Sequence, residues 1–158
     1  MNYYTPVMEE TMKIRDILEQ KEQSVLSIGP RESIRSAVGI MNTKHVGALM
    51  VLGPQDEVLG ILSERDIMRN IDEKVLDRSV EELMTSKEHL VVGHPTDSID
   101  YAMNIFVTKK VRHLPIIDEQ TGKLDGIISI GDVVRSQLSD VEFENRMMMN
   151  YIMGSYGT

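Results

Sequence analysis

The chain contains an internal duplication, and this feature restricts its fold more than any other. Residues 46–52 (VGALMVL) return as residues 111–117 (VRHLPII), and residues 60–66 (GILSERD) return as residues 126–132 (GIISIGD). The step from 46 to 111 is 65 positions and the step from 60 to 126 is 66, so one residue is added in the turn between the two blocks. A period of this length is typical of two copies of one small α/β unit and not of a short-repeat solenoid.

Each copy shows the pattern of a helix followed by two strands. Apolar residues recur at helical spacing in two windows, 34–41 and 99–106, which predicts one amphipathic helix with a buried face in each copy. Two short apolar runs follow each helix, and the segments between them contain Gly, Pro or Asp, which suit a chain reversal. With an earlier strand and a second helix that starts at Ser63 or Ser129, each copy is predicted to read strand, helix, strand, strand, helix. The predicted hairpin strands are residues 48–52, 58–62, 114–117 and 124–128.

The two copies are predicted to form one body of the mixed α/β (α+β) class. A single copy of roughly 60 residues buries too little surface to be stable by itself. We therefore expect the two pseudo-symmetric repeats to pack sheet to sheet. The first repeat is assigned to residues 7–75, the second to residues 76–140 and a C-terminal helical tail to residues 141–158. Of the 158 residues, 41% are hydrophobic and 27% are charged, which is close to the average globular balance.

Charge and hydropathy exclude several classes of partner. The formal net charge of −8 opposes nucleic acid, whose phosphate backbone binds proteins mainly through Lys and Arg. No apolar stretch approaches the roughly 18 residues of a membrane span. The N-terminus, with Glu9 and Glu10 near its start, lacks the basic-then-apolar order of a signal peptide. We therefore expect a cytoplasmic protein with neither a nucleic-acid nor a membrane partner.

The sequence offers little for catalysis or for metal binding. It contains no Gly-x-x-x-x-Gly-Lys phosphate loop, no Gly-x-Gly-x-x-Gly turn, no His-Glu-x-x-His and no Gly-x-Ser-x-Gly elbow. Cysteine is absent, which removes disulfides, thiolate ligands and cysteine nucleophiles together. The four histidines, His45, His89, His94 and His113, are not paired at ligand spacing on one helix. We expect neither an enzyme nor a metal site.

A Ser-x-x-Asp motif occurs in each copy, from Ser63 to Asp66 and from Ser129 to Asp132. Each serine lies where a strand passes into a helix, and the free backbone amides and the helix dipole there suit a phosphate. The aspartate has two acceptor oxygens that suit the paired hydroxyls of a ribose, and adenosine monophosphate carries both groups. The motif also resembles a capping box, which stabilises a helix end without any ligand. For Asp132 we favour the ligand, and for Asp66 the two interpretations stand level.

The tandem unit resembles a pair of cystathionine-β-synthase-type (CBS) domains. The resemblance is strongest at residues 111–115 (VRHLP) and 126–132 (GIISIGD), includes the matching blocks of the first copy and spans residues 7–137. It implies one Bateman-type module, a regulatory sensor that binds adenosine ligands in clefts between the copies and forms a disc-like homodimer. AMP is the first choice of ligand, with NAD(H), ADP and ATP as further candidates, and an unidentified protein partner is expected to receive the signal.

The second copy carries the stronger candidate site. The resemblance places the segment of Arg112 and His113 on the cleft wall, where the planar donor fork of arginine suits phosphate. Thr96, just before the helix of this copy, is a candidate hydroxyl contact, although an N-cap role also explains it. Lys109 and Lys110 are expected to meet only solvent and the helix dipole. The site expected in this copy comprises Thr96, Arg112, His113, Pro115, Ser129, Ile130, Gly131 and Asp132.

The first copy differs from the second at several of these positions. Gly47 and Ala48 stand where the second copy has its Arg-His pair; they carry no charge but let a flat ring approach closely. Tight strand packing explains them equally well. Arg65 is a candidate phosphate contact or a solvated helix residue, and Arg31 replaces Thr96, so the two sites are not expected to be equivalent. The candidates in this copy are Gly47, Ala48, Ser63, Arg65 and Asp66.

The tail beyond the repeats suggests a contact surface. Residues 141–153 are predicted to extend the last helix, which stops at Gly154. Their Met, Phe, Tyr and Ile side chains suit an adaptable interface with a second copy or a partner, while packing on the chain's own core is the other interpretation. The alternative to a sensor is therefore a ligand-free structural dimerisation module that docks a partner through this Met-rich tail.

Overall fold

The computed structural model describes residues 11–21 and 24–154, with side chains up to residue 149. The predicted start of the first repeat at residue 7 and the end of the tail at residues 155–158 lie outside the described residues. The helices are α1 (Ile14–Gln20), α2 (Ile34–Lys44), α3 (Glu64–Arg69), α4 (Val80–Leu83), α5 (Ile99–Lys109) and α6 (Ile130–Gly154). The strands are β1 (Ser27–Ile28), β2 (Ala48–Leu52), β3 (Val58–Ser63), β4 (Thr85–Ser86), β5 (His113–Ile117) and β6 (Leu124–Ser129). Two 3-10 turns, Val75–Asp77 and Lys87–His89, lie before α4 and after β4.

The helices α2 and α5 begin and end in the same way. The N-cap serines, Ser33 and Ser98, each accept a hydrogen bond at 3.1 Å from the backbone N–H three residues on. At the other end His45 and Lys110 adopt the left-handed conformation, with φ of 55° and 54°, which closes a helix. The buried positions are Ile34, Ala37 and Met41 in α2 and Ile99, Ala102 and Phe106 in α5. The predicted amphipathic helices are confirmed.

The two hairpins share one register. Leu49 of β2 is paired with Leu62 of β3, and Leu114 of β5 is paired with Ile128 of β6, at equivalent positions. In the first repeat, β1 and β4 flank the hairpin and give a four-stranded sheet of order β1-β2-β3-β4. In the second repeat β5 and β6 form a two-stranded sheet, and the counterpart of β1 is a single parallel bridge at Gly93.

The two repeats exchange one helix. Ile14 of α1 is buried in the core of the second repeat, and Val80 of α4 is buried in the core of the first. Equivalent backbone hydrogen bonds hold the two helices, because Ile14 N donates to the Asp97 carbonyl at 2.9 Å and Val80 N donates to the Glu32 carbonyl at 2.8 Å. The first described helix of each repeat therefore packs on the core of the other repeat.

A third buried cluster lies between the two sheets. Ala48, Met50 and Ile61 of the first sheet are buried, and Leu124 and Ile127 of the second sheet pack against them. Burial of an aliphatic side chain of this size contributes about 1.5–3 kcal/mol. The predicted mixed α/β class and the sheet-to-sheet packing are confirmed.

The last helix, α6, leaves the body of the protein after its second turn. Val133 and Ser136 are buried, whereas every residue from 137 to 149 is exposed. The described side chains of the tail do not pack back on the core, contrary to one of the two interpretations above. Among residues 11–21 and 24–154, none of the helices has the length and apolar content that a bilayer crossing requires. The exposed apolar side chains of this segment are Leu138, Val141, Phe143, Met147, Met148 and Met149.

Candidate ligand-binding clefts

Two clefts lie where the repeats meet. The larger, here named the Asp132 cleft, has a volume of about 910 Å³ and lies between α1, the segment before β2, β6 and the start of α6. The smaller, here named the Asp66 cleft, has a volume of about 340 Å³ and lies between β3, α3 and the segment before β5. Both volumes fall in the range of small-molecule sites, about 300–1,000 Å³.

The Ser-x-x-Asp motif of each repeat faces a wall that the other repeat supplies. Gly47 and Ala48 line the Asp132 cleft, and their equivalents Arg112 and His113 line the Asp66 cleft. The sequence predicts that Arg112 is grouped with Asp132, and this grouping is wrong because Arg112 lines the Asp66 cleft. The physical reason is that the segments at the start of β2 and of β5 lie at the junction of the repeats, where each closes the cleft of the opposite repeat.

In the Asp66 cleft the motif forms a capping box. The Ser63 N–H and hydroxyl donate to Asp66 Oδ2 at 2.8 Å and 2.6 Å, and the Asp66 N–H donates to Ser63 Oγ at 3.3 Å. Within the described residues, the other carboxylate oxygen, Oδ1, has one hydrogen-bond contact, a long one of 3.4 Å from the Thr85 hydroxyl. The capping interpretation holds for Asp66, and Oδ1 can still accept from a ligand hydroxyl.

In the Asp132 cleft the same motif carries two ion pairs. The Ser129 N–H donates to Asp132 Oδ2 at 2.8 Å, as in the first repeat. In addition, Lys21 Nζ lies 2.8 Å from Oδ2 and Arg135 Nη2 lies 2.6 Å from Oδ1. Cations therefore engage both oxygens of the carboxylate. A ribose that binds Asp132 through both oxygens must displace at least one of them.

Lys21 is a cleft residue that the sequence analysis missed. It is the C-cap of α1, and its ammonium also donates to the Ile127 carbonyl at 2.9 Å. Burial by itself raises the pKa of Asp132, but the hydrogen bonds from Lys21 and Ser129 and the charge of Lys21 outweigh burial and hold that pKa below its usual value. No local pattern marks Lys21, because its two contacts lie 106 and 111 positions away in the chain.

His113 and Gly47 face each other between the two clefts and line both. A Cβ atom on Gly47 would lie 3.2 Å from His113 Cε1, so glycine permits this close approach. Burial lowers the pKa of His113 and the nearby Lys21 lowers it further, while Asp132 and Glu64 oppose the shift. The imidazole is therefore mainly neutral at neutral pH and presents one donor and one acceptor beside its flat face.

Positive charge collects in the Asp66 cleft. Arg65 and Pro115 line it, and the Arg65 guanidinium donates to the Lys110 carbonyl in the other repeat. Lys109 and Lys110, which were expected to meet only solvent and the helix dipole, also line this cleft, as does Arg69 of α3. Cations of both repeats thus line one cleft.

Three of the predicted residues lie off both cleft walls. Thr96 is exposed in the turn before α5, and the N-cap of α5 is Ser98, so neither role expected for Thr96 matches its position. Ile130 and Gly131 open α6 and are not part of either lining. A Cβ atom on Gly131 would lie 3.4 Å from Arg135 Nη1, which is close contact with the motif's own ion pair.

The chemistry of both clefts suits the binding of a polar ligand. Carboxylate oxygens accept from hydroxyls, and the Lys and Arg side chains donate to phosphate or carboxylate oxygens. Within residues 11–21 and 24–154, no group of three or more His, Asp or Glu side chains is placed to hold a metal ion. A ligand held between the walls of either cleft contacts both repeats at once.

Comparison with known proteins gives a consistent family. The model of the CBS domain matches the chain twice, at residues 14–73 and 80–139. The mitochondrial CBS domain-containing protein CBSX3 of Arabidopsis thaliana is 30% identical over 156 residues, which cover 93% of this chain and 75% of that protein. The crystal structure of the CBS-domain containing protein ATU1752 from Agrobacterium tumefaciens is similar with a TM-score of 0.72 and 34% identity, over 79% of this chain and 98% of that chain.

A structure with a bound ligand has the same fold. The crystal structure of CBSX2 in complex with AMP is similar with a TM-score of 0.69 and 24% identity, over 80% of this chain and 97% of that chain. At this identity the likeness concerns the fold alone. The two matched segments coincide with the two repeats seen here, and together they show that this chain belongs to the CBS domain family as a tandem CBS pair.

Proposed function

We propose that this regulatory CBS pair is a sensor that binds adenosine nucleotides in its two clefts and signals their occupancy to a partner protein. AMP is the first choice of ligand, and NAD(H), ADP and ATP are further candidates. The observation that carries the proposal is that each cleft combines the Ser-x-x-Asp motif of one repeat with a wall from the other. A bound ligand therefore bridges the repeats.

The groups in the clefts match the parts of an adenosine nucleotide. Asp66 and Asp132 supply carboxylate acceptors for the ribose hydroxyls, and Arg112 supplies donors for phosphate. Gly47 and His113 lie close to each other between the clefts, and the neutral imidazole offers a purine ring one donor, one acceptor and an aromatic face. The AMP complex of CBSX2 supports an adenosine ligand through the shared fold.

The signal follows from a contact that crosses between the repeats. The Arg65 side chain of the first repeat donates to the Lys110 carbonyl of the second. A ligand that changes this contact changes the relative stability of two arrangements of the repeats. Differential affinity for two arrangements is sufficient to shift their populations. We propose that a partner protein reads this shift.

We propose a role in binding without catalysis. The sequence has no phosphate loop, dinucleotide turn, zinc-protease motif or nucleophile elbow to support a reaction. The cytoplasmic location, and the exclusion of nucleic-acid and membrane partners, rest on the net charge of −8 and on the hydropathy of the sequence.

We also propose that the protein is a homodimer, with α6 as a contact surface. Val134, Leu138, Val141, Asn145 and Met148 are exposed and recur at alternating steps of four and three residues. This is the a/d spacing of a coiled coil, and one Asn at an a position favours a defined two-stranded pairing. The same surface carries the alternative function, a ligand-free dimerisation module that docks a partner through the tail. A Leu138→Glu variant should shift the mass measured by sedimentation towards that of a monomer.

The sensor is tested by thermal unfolding of ligand-free protein against AMP, ADP, ATP, NAD and NADH. A nucleotide at 100 times its dissociation constant adds about 2.7 kcal/mol of stability, which corresponds to a rise in Tm of about 5–11 °C for a chain of this size. The rise should be smaller in Asp66→Ala or Asp132→Ala. No rise with any of the five would overturn the sensor and favour the dimerisation module.

A further inference from the structure

We infer that the Asp66 cleft is the phosphate-chain site of the pair, which binds nucleoside di- and triphosphates more tightly than AMP. The Asp132 cleft, in contrast, does not discriminate between ligands by the number of phosphates. The inference rests on the proposed nucleotide function and assigns a ligand class to each cleft.

The two clefts differ in net charge. Five cationic and two acidic side chains line the Asp66 cleft, whereas two of each line the Asp132 cleft. The Asp66 cleft is therefore strongly positive although the whole chain carries a net charge of −8. The five cationic side chains are those of Arg65, Arg69, Lys109, Lys110 and Arg112.

The cations of the Asp66 cleft outnumber its acids and, in the described part of the chain, are not held in ion pairs. Within the described residues, none of the five forms a salt bridge. The Arg65 guanidinium donates to the neutral carbonyl of Lys110, which orients it but leaves its charge uncompensated. Like charges held close together repel one another, and an anion between them relieves that repulsion. The relief grows with the charge of the anion, so a longer phosphate chain binds more tightly.

The cleft exists only when the two repeats are together. Arg65 and Arg69 belong to α3 of the first repeat, whereas Lys109, Lys110 and Arg112 surround the start of β5 in the second. The first repeat contributes two of the five cations and the second contributes three. A phosphate chain bound here would therefore stabilise the contact between the repeats.

The Asp132 cleft has no unpaired cation in its described lining to bind a phosphate chain. Its two cations, Lys21 and Arg135, are both paired with Asp132 at 2.8 Å and 2.6 Å. A phosphate that recruits either of them has to break an ion pair with a carboxylate that is 9% exposed. In the Asp66 cleft a ribose can bind Asp66 Oδ1 while the phosphates meet unpaired cations.

The experiment is calorimetric titration of AMP, ADP, ATP and inorganic tripolyphosphate into the full chain. The test variant is Lys109→Gln/Arg112→Gln, which removes two cleft charges from exposed side chains. The matched control is Arg31→Gln/Lys123→Gln, which removes two charges from exposed side chains that line neither cleft. We expect one site of the wild type, the Asp66 cleft, to bind ATP at least about tenfold more tightly than AMP. The ratio should be kept in the control and reduced to about threefold or less in the test variant.

The outcomes separate this inference from the proposed function. Equal affinities for AMP and ATP, or a ratio that survives Lys109→Gln/Arg112→Gln, would overturn the phosphate-chain site and leave a nucleotide sensor in place. Tripolyphosphate should bind the wild type and Asp66→Ala but not the test variant, which supports the site without reference to the nucleoside. If none of the adenine nucleotides binds, both the sensor and the inference fail.

Discussion

The Asp66 and Asp132 clefts share one motif and one backbone geometry, yet their carboxylates have different partners. In both, the serine N–H donates to the aspartate Oδ2 at 2.8 Å. Around Asp66 the remaining oxygen has a long contact to a hydroxyl, whereas around Asp132 two cations hold both oxygens. The two repeats thus share the motif and the backbone geometry of the site, whereas residues outside the motif set the charge of each cleft.

The largest expected effect compares how much stability equivalent buried residues contribute to the cores of the two repeats. Leu49 and Leu114 are equivalent, fully buried residues of the two hairpins. Substitution of either by Ala should cost about 2–5 kcal/mol, since each leaves a cavity. Calorimetry should show a similar loss in both variants and one unfolding transition, because the exchanged helices α1 and α4 couple the repeats. Two separate transitions in either variant would contradict this coupling.

A smaller effect should separate the two aspartates. Asp66→Ala removes a helix cap, which costs about 0.5–2 kcal/mol. Asp132→Ala removes the equivalent cap and also leaves Lys21 and Arg135 without their partner, so its cost should be higher by about 1 kcal/mol. Urea unfolding measures both free energies of unfolding. The control is Asp125→Ala, which removes an exposed acid of the Asp132 cleft and should change the free energy of unfolding by less than about 0.5 kcal/mol. Equal costs for the two aspartates would show that the ion pairs add nothing.

The shape of the molecule follows from the sequence more completely than the clefts do. Helical spacing and turn residues are local signals, and they locate the hairpins and α2 and α5 to within a few residues. The Ser-x-x-Asp motif marks both carboxylates for the same reason. The composition of each wall is not local, because Arg112 lines the cleft of Asp66 and not the cleft of the aspartate of its own repeat.

The contacts that the sequence does not reveal are those between distant segments. Lys21 ends a seven-residue helix and has no motif around it, and its role appears only when α1 packs on the second repeat. Thr96 is the opposite case, a predicted site residue that does not line a cleft. A hydroxyl near a helix start suits a ligand contact or an N-cap, but the fold exposes Thr96 to solvent. Long-range packing decides both cases, and one sequence carries no direct record of it.

Acid titration should sharpen the difference further. The pKa of Asp132 is lowered in the folded protein from an unfolded value of about 3.9, so its charged form contributes stability above that value. The contribution is lost as the pH falls through the lowered pKa. In Lys21→Met this loss should shrink, so the stability gap between wild type and variant should be widest above about pH 5 and should narrow towards pH 2. Urea unfolding across this range, with Lys123→Met as control, measures the gap, and a gap that does not change with pH would exclude the coupling.

The smallest effect concerns the partner of Asp66. The Thr85 hydroxyl lies 3.4 Å from Asp66 Oδ1, which is long for a hydrogen bond. Thr85→Val, which is nearly isosteric, should therefore change the free energy of unfolding by less than about 0.5 kcal/mol. Chemical denaturation provides the value. A loss above 1 kcal/mol would mean that Asp66 is held on both oxygens, as Asp132 is.

The exchanged helix also sets an order of events during synthesis. The segment of α1 leaves the ribosome well before its partner backbone at Asp97 and its neighbours in β6 and α6. At about 5–20 residues per second, α1 waits for several seconds with its apolar face uncovered. The first repeat meets no such delay, because α4 follows it directly in the chain. A nascent chain of this protein thus completes its first core before its own first helix has a place to dock.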